Sequence, residues 1–186
     1  LLSGYFFLQL ERVTQITAIV FFVLTFLYAV PLFSNKPNIR NWSGIKIYIV
    51  AFCWAGVTTL LPMINFGTEI YQDIFIKFCQ RFLLVITLIL IFEIIDLKND
   101  DLALETVPQK IGVKKTKILG ILLLVPFYFL EFFKSEIDTN QLFINAILVA
   151  ITSLFMLFAN ENRSQYYTSF WVESIPVFWL AMVYLF

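Results

Sequence analysis

The sequence predicts an all-α integral membrane protein, a bundle of about six transmembrane helices, on three observations. Sixty per cent of its 186 residues are apolar and only 14% are charged, against roughly a quarter charged in an average soluble domain. The apolar residues gather into stretches near 20 residues long, the length a helix needs to cross the hydrocarbon core. Between them lie short segments of Asn, Ser, Gly and Pro, the composition that helix connections require. This much Phe, Leu and Ile exceeds what one soluble core of this size encloses, so lipid is the expected solvent.

Six stretches meet the length requirement: residues 13–33, 45–65, 74–95, 118–134, 141–159 and 168–186. Residues Leu1 to Leu10 are apolar but too short to span, and are expected to be the end of a helix that begins upstream. The first connection opens Ser34-Asn35-Lys36-Pro37-Asn38, and the second contains Gly67-Thr68-Glu69. The fourth runs from Ser135 to Asn140 and the fifth from Asn160 to Arg163. The expected organisation is one membrane domain over 1–186, N-terminally truncated, with no soluble domain, low-complexity tract or internal repeat.

Composition removes several function classes. The formal net charge is zero and there is no basic tail, so no nucleic-acid partner is expected. The chain contains no His, which removes His-based acid/base catalysis, Ser-His and Cys-His nucleophilic pairs, and most zinc or haem ligation. A metal here is expected to have oxygen ligands, which favours Mg²⁺ or Ca²⁺. Cys53 and Cys79 sit inside apolar runs and read as small buried hydrophobes. Nine of the 13 basic residues, Lys36, Arg40, Lys46, Lys98, Lys110, Lys114, Lys115, Lys117 and Arg163, fall in the first, third and fifth connections. That bias predicts that these connections face the cytoplasm. Arg12, Lys77, Arg81 and Lys134 belong to the other side, near segment ends where they can snorkel.

The chemically loaded segment is the acidic one that closes the third span. Glu93, Asp96 and Asp100 stand at i, i+3 and i+7, which places three carboxylates along one helix face. Glu93 follows directly on an unbroken apolar run, at headgroup depth or below. Charges there are costly and like charges in a row repel, so a cation is expected to compensate them. Mg²⁺ held by carboxylates and shared with substrate phosphates is the simplest such cation. The alternative is a solvated loop of mixed charge closed by the Lys-rich stretch 110–117. Arg81 stands 12 residues before Glu93, about 18 Å at helical rise, and is expected to lie away from any metal.

The run Glu93-Ile-Ile-Asp96-Leu-Lys-Asn-Asp100, followed by Thr106-Val-Pro108-Gln-Lys-Ile-Gly112, resembles the second aspartate-rich motif of the UbiA-type intramembrane prenyltransferases. That motif reads D-x-x-D-x-x-x-D, then T-x-P and a nearby Gly, at the cytoplasmic end of a helix. Tyr28, the Trp54-Ala-Gly56 segment and Pro62 are also similar to family features. The resemblance implies that the six spans match the last six of a nine-helix bundle. The family's first motif, N-D-x-x-D-x-x-x-D, is not in this sequence, Glu93 stands where Asp is usual, and the spacing from Asp100 to Thr106 is one residue short.

The function so implied is Mg²⁺-dependent transfer of a prenyl group from a prenyl diphosphate to a lipophilic, aromatic acceptor, incomplete in the 186 residues alone. Implied metal ligands are Asp96 and Asp100, which carry the catalytic role, with Glu93 and Asp101 beside them. Lys98, Lys110 and Tyr28 are the implied substrate contacts, and the bacterial inner membrane the implied location; Glu173, near the start of the last span, is expected either to face the same vestibule and join them or to sit at the interface. Partners are then the two substrates and membrane lipid. The 22 Phe, 8 Tyr and 4 Trp supply aromatic faces for an allylic cation, although most are expected to face lipid or pack. Two other classes stay open. One is a non-catalytic isoprenoid- or quinone-binding membrane protein, and the other a small cation-coupled transporter.

Overall fold

A computed structural model of the chain describes residues 2–29, 45–67, 71–101 and 104–185. All regular structure among the described residues is helical. In chain order the helices are α1 (Leu2–Gln9), α2 (Arg12–Ala29), α3 (Ile45–Ala55), α4 (Leu61–Asn65), α5 (Tyr71–Asp96), α6 (Val107–Ile111), α7 (Val113–Phe129), α8 (Thr139–Phe158) and α9 (Ile175–Leu185). A π-helical turn over Gly56–Leu60 joins α3 to α4 without a break, and a second, Tyr167–Val172, precedes α9. A 3₁₀ turn, Leu130–Phe133, prolongs α7 beyond Pro126, whose ring nitrogen cannot donate within the helix.

Five of these helical stretches are long and apolar enough to cross a membrane: Lys46–Asn65, Gln72–Asp96, Val113–Phe133, Thr139–Phe158 and Tyr167–Leu185. On that ground the chain is an integral membrane protein. The span expected over 13–33 is described only as far as Ala29. Its described part, Arg12–Tyr28, is helical and apolar but shorter than a span. Lys36 and Arg40 of the first connection, and Thr68 and Glu69 of the second, lie outside the described residues. The fourth span starts at Val113 rather than 118, because Lys114, Lys115 and Lys117 are helical while being too polar to count as apolar. Cys53 is buried and Cys79 partly so, both as free thiols.

The bundle is organised around α5. In its most apolar stretch 61% of residues are buried, against 28% or less in each other span. Leu84, Leu90, Ile91 and Ile94 are at most 1% exposed, and α5 packs most extensively on α7 and α3. The outer helices leave large side chains such as Phe22, Leu122 and Leu180 uncovered, as lipid-facing surfaces do. Two glycines permit close packing. A Cβ at Gly56 would stand 1.9 Å from the ring of Phe21, and one at Gly120 would stand 2.2 Å from Cε of Met156. The gap between α1 and α2 is stitched by Gln15, whose Nε2 donates to the carbonyls of Phe7 (3.1 Å), Leu8 (3.3 Å) and Leu10 (3.0 Å).

Polar contacts inside the bundle tie α5, α8 and the 3₁₀ turn together at the end remote from Asp96. Glu131 is 1% exposed. Its Oε2 accepts from Gln80 Nε2 of α5 and Asn145 Nδ2 of α8, each at 2.9 Å, and its Oε1 pairs with Lys134. Gln80 also donates to the Phe127 carbonyl at 3.2 Å, and Gln141 donates to Asn145 at 2.9 Å. A carboxylate buried at this depth is tolerated because Gln80, Asn145 and Lys134 all address it.

Candidate functional site at the acidic end of the central helix

α5 ends where its sequence turns acidic. Hydrogen bonds from the N–H groups of Asn99 (2.8 Å) and Asp100 (2.9 Å) to the Asp96 carbonyl carry the helical path one turn further. Asp96 and Asp100 are therefore separated by a single turn, as the i, i+4 spacing predicts. Glu93 is 7% exposed, Asp96 and Asp100 are half-buried, and Asp101 is exposed. The row thus runs from the bundle interior outward.

The Thr106 to Gly112 segment forms a short helix beside this row. Thr106 is extended at the N-cap, Pro108 lies in the first turn, and Gly112 ends the helix at φ 82° and ψ 155°, which glycine alone adopts without strain. Gln109 Oε1 accepts from the Thr106 N–H at 2.9 Å, and its Nε2 donates to the Asp101 carbonyl at 3.2 Å. The Val107 N–H, an orphan donor of the first turn, donates to Oε2 of Glu93 at 3.1 Å. Glu93 therefore caps α6 from below, and the partial positive charge of a helix start partly offsets its own.

The basic residues divide around the row. Lys46, in the first turn of α3, is the cation within Coulombic reach of both Glu93 and Asp100. Burial holds the Asp100 carboxyl above its ordinary value of 3.8; Lys46 pulls it back and Asp96 pushes it further up. Lys98 donates to Asn162, tying the end of α5 to the connection after α8. Lys110 pairs with Glu105 at 2.8 Å, and Lys117 donates to the Leu157 carbonyl at the end of α8 at 2.7 Å. Arg163 donates to the Phe158 carbonyl at 3.3 Å and lies 5.3 Å over the Tyr167 ring.

Two apolar clefts open on the α3 side. One, about 550 Å³, runs along α5 from Val85 to Phe92 and is closed by Val50, Trp54, Glu173 and Pro176. Its last α5 residue, Phe92, immediately precedes Glu93. The other, about 400 Å³, lies between α2 and α3 and includes Tyr28, Cys53 and Trp54. Of the residues singled out in the sequence, Glu93, Asp96, Asp100 and Asp101 thus gather at one helix end, and Glu173 stands in the cleft that leads there. Tyr28 stands in the neighbouring cleft, across Trp54. Lys98 and Lys110 flank the acids with their ammonium groups already engaged.

Among the described residues no three Asp, Glu or Cys side chains converge tightly enough to enclose an ion, and one oxygen of Glu93 is engaged by Val107. Asp96 and Asp100 remain as a two-carboxylate platform. That is how Mg²⁺ is commonly held when substrate phosphates complete its shell.

Lys46 is the functional neighbour that sequence reasoning missed. In the sequence it is one basic residue of the first connection among several, and the demand for a cation beside a buried carboxylate is the signal that points to it. The class defined by fold and site is an all-helical integral membrane protein with an acidic helix end beside an apolar cleft. No family model matches the chain, and neither a curated protein nor a solved structure is detectably similar to it.

Proposed function

We propose that this chain is a UbiA-like prenyltransferase, which moves a prenyl group from a prenyl diphosphate to a lipophilic, aromatic acceptor. The observation that carries the reading is the junction of two unlike surfaces. A pair of carboxylates one turn apart, Asp96 and Asp100, follows directly on an apolar cleft along α5. A prenyl diphosphate has the same two halves, a charged head and a hydrocarbon tail.

In this assignment Asp96 and Asp100 would hold Mg²⁺, with Asp101 at the outer edge. When bound there, the ion would supply charge neutralisation for the diphosphate. Glu93 supports α6 through the Val107 N–H rather than acting as a primary ligand. The cleft walls exclude water, which would otherwise quench an allylic cation. Phe92 and Trp54 contribute aromatic faces to the same wall. Lys98 and Lys110 are candidates for the diphosphate, on exchanging their present partners Asn162 and Glu105. Glu173 and Tyr28 are assigned to the substrate clefts. The proposed setting is the bacterial inner membrane, with the acidic end in the cytoplasm, in keeping with the charge bias of the connections.

A second reading is a non-catalytic isoprenoid-binding protein. It is favoured by one observation: Lys46 and the α6 N-terminus already offset part of the acidic charge. The two readings separate in a prenyl-transfer assay on the full-length native chain in membranes, with labelled prenyl diphosphate and Mg²⁺ or a chelator. The catalytic reading expects Mg²⁺-dependent product that Asp96→Asn and Asp100→Asn each abolish while membrane insertion persists. Turnover unchanged in both variants would overturn the metal assignment. Tight prenyl diphosphate binding without product would favour the second reading.

A further inference from the structure

At the opposite end of the bundle, the polar groups of one cleft are unevenly matched. The cleft, about 260 Å³, lies where the π turn and α4 meet α5, α9 and the turn that follows α7. Lys77, Arg81 and Lys134 all line it. Glu131 beside them is committed to Lys134, Gln80 and Asn145. Lys77 is exposed and makes no ion pair among the described residues.

Arg81 is the sharper anomaly. It lies inside a membrane-spanning helix, one turn after Lys77 and 12 residues before Glu93, about 18 Å away along the helix. No carboxylate pairs with it among the described residues. Its guanidinium rests 4.1 Å over the ring of Trp179, and its Nε is buried with no hydrogen-bond partner. Two further polar groups in the cleft wall are in the same condition. Trp179 Nε1 is buried and unpartnered, and so is the hydroxyl of Thr59, a residue only 7% exposed.

Arg81, Trp179 and Thr59 all line a cleft with an excess of cations, and each carries a buried, unpartnered group able to donate: Nε, Nε1 and Oγ1. A desolvated cation in a membrane span is normally matched by an opposite charge, and buried donors by acceptors. Leu180, 70% exposed on the cleft rim, presents an apolar surface beside the cations. We infer that this cleft binds the anionic, phosphate-bearing headgroup of a membrane lipid. Phosphate is the acceptor that arginine recognises best. The headgroup supplies the negative charge and acceptor oxygens that the cleft lacks, while an acyl chain lies against Leu180. This site is separate from the acidic end of α5 and does not depend on the function proposed for it.

The test uses the purified full-length chain, delipidated in a neutral detergent. Phosphatidylglycerol, phosphatidylcholine or inorganic phosphate is added, and the thermal midpoint and retained lipid are measured, the latter by native mass spectrometry. Phosphatidylglycerol is expected to raise the midpoint and remain bound, and phosphatidylcholine to do neither. Arg81→Gln and Lys77→Gln should each weaken phosphatidylglycerol binding about tenfold, the worth of one charge-assisted contact. Without lipid, Arg81→Gln should be no less stable than the parent, because it removes an unmatched charge. Lys77→Gln alters an exposed side chain and reads out binding even where Arg81→Gln does not fold. Inorganic phosphate matching the lipid's effect would overturn the lipid as the source and leave a soluble phosphate compound as ligand. No stabilisation by either, or stabilisation that survives both substitutions, would overturn the site itself.

Discussion

Removing the Glu131 carboxylate should destabilise the bundle mainly by stranding Lys134, and a double-mutant cycle can separate that effect from the loss of hydrogen bonds. Glu131 is 1% exposed and the Lys134 side chain 8%. Glu131→Gln keeps an oxygen that accepts from Gln80 and Asn145, the two 2.9 Å contacts, but deletes the charge facing Lys134. Breaking one side of a buried pair costs about 3–5 kcal/mol, whereas replacing both partners together is often near neutral. Interhelical hydrogen bonds in membranes average only about 0.6 kcal/mol, so the charge effect should dominate. The expected order is therefore a large loss for Glu131→Gln and a much smaller one for Glu131→Gln combined with Lys134→Met. Asn145→Leu should fall between parent and Glu131→Gln. Reversible unfolding in mixed micelles, followed by circular dichroism, gives the free energies. Additive losses in the double variant, with no coupling beyond about 0.5 kcal/mol, would refute the claim that the two side chains neutralise each other.

Three further outcomes follow from the packing and the acidic end. Gly56→Ala places a methyl group 1.9 Å from the Phe21 ring; a loss of about 1–3 kcal/mol is expected in the same unfolding assay, and Phe21→Ala in the same chain should recover part of it. Gly112→Ala forces a Cβ into φ 82°, ψ 155° and should cost about 1–3 kcal/mol, with increased amide exchange over α6. The folded Asp100 carboxyl lies above its ordinary value of 3.8, chiefly through burial. The folded state then binds the proton more tightly, so Asp100's contribution to stability is present at low pH and is lost as pH rises above that value. Asp100→Asn should flatten this part of the pH–stability curve, and an unchanged slope would show that other groups produce it.

Much of the architecture was readable from chain chemistry. Hydropathy located the second to sixth stretches to within about five residues at either end, because a span must be both long and apolar. The start of α7 was placed late, since lysines at a helix entrance lower hydropathy without weakening the helix. The acidic row was legible from its spacing, and the Thr-x-Pro…Gly tail from its turn chemistry, which became the cap, first turn and stop of α6. What stayed hidden depended on segments distant in sequence. Lys46 reaches acids about 50 residues later, and Gln80 meets Glu131 across 51 positions. No local pattern announces such meetings.

The acidic end of α5 also has a consequence for assembly. Backbone dipoles make the C-terminal end of a helix partially negative, so carboxylates in the last turn are disfavoured there. α5 places Glu93 and Asp96 in its last turn with no basic residue among them. Taken alone, the most enclosed helix of the bundle is charged against its own polarity. The correction arrives from outside it, through Lys46 of α3 before it in the chain and the Val107 N–H of α6 after it. In a chain inserted from its N-terminus, the central helix therefore enters the bilayer ahead of one of its stabilisers and becomes electrostatically settled only once α6 has folded against it.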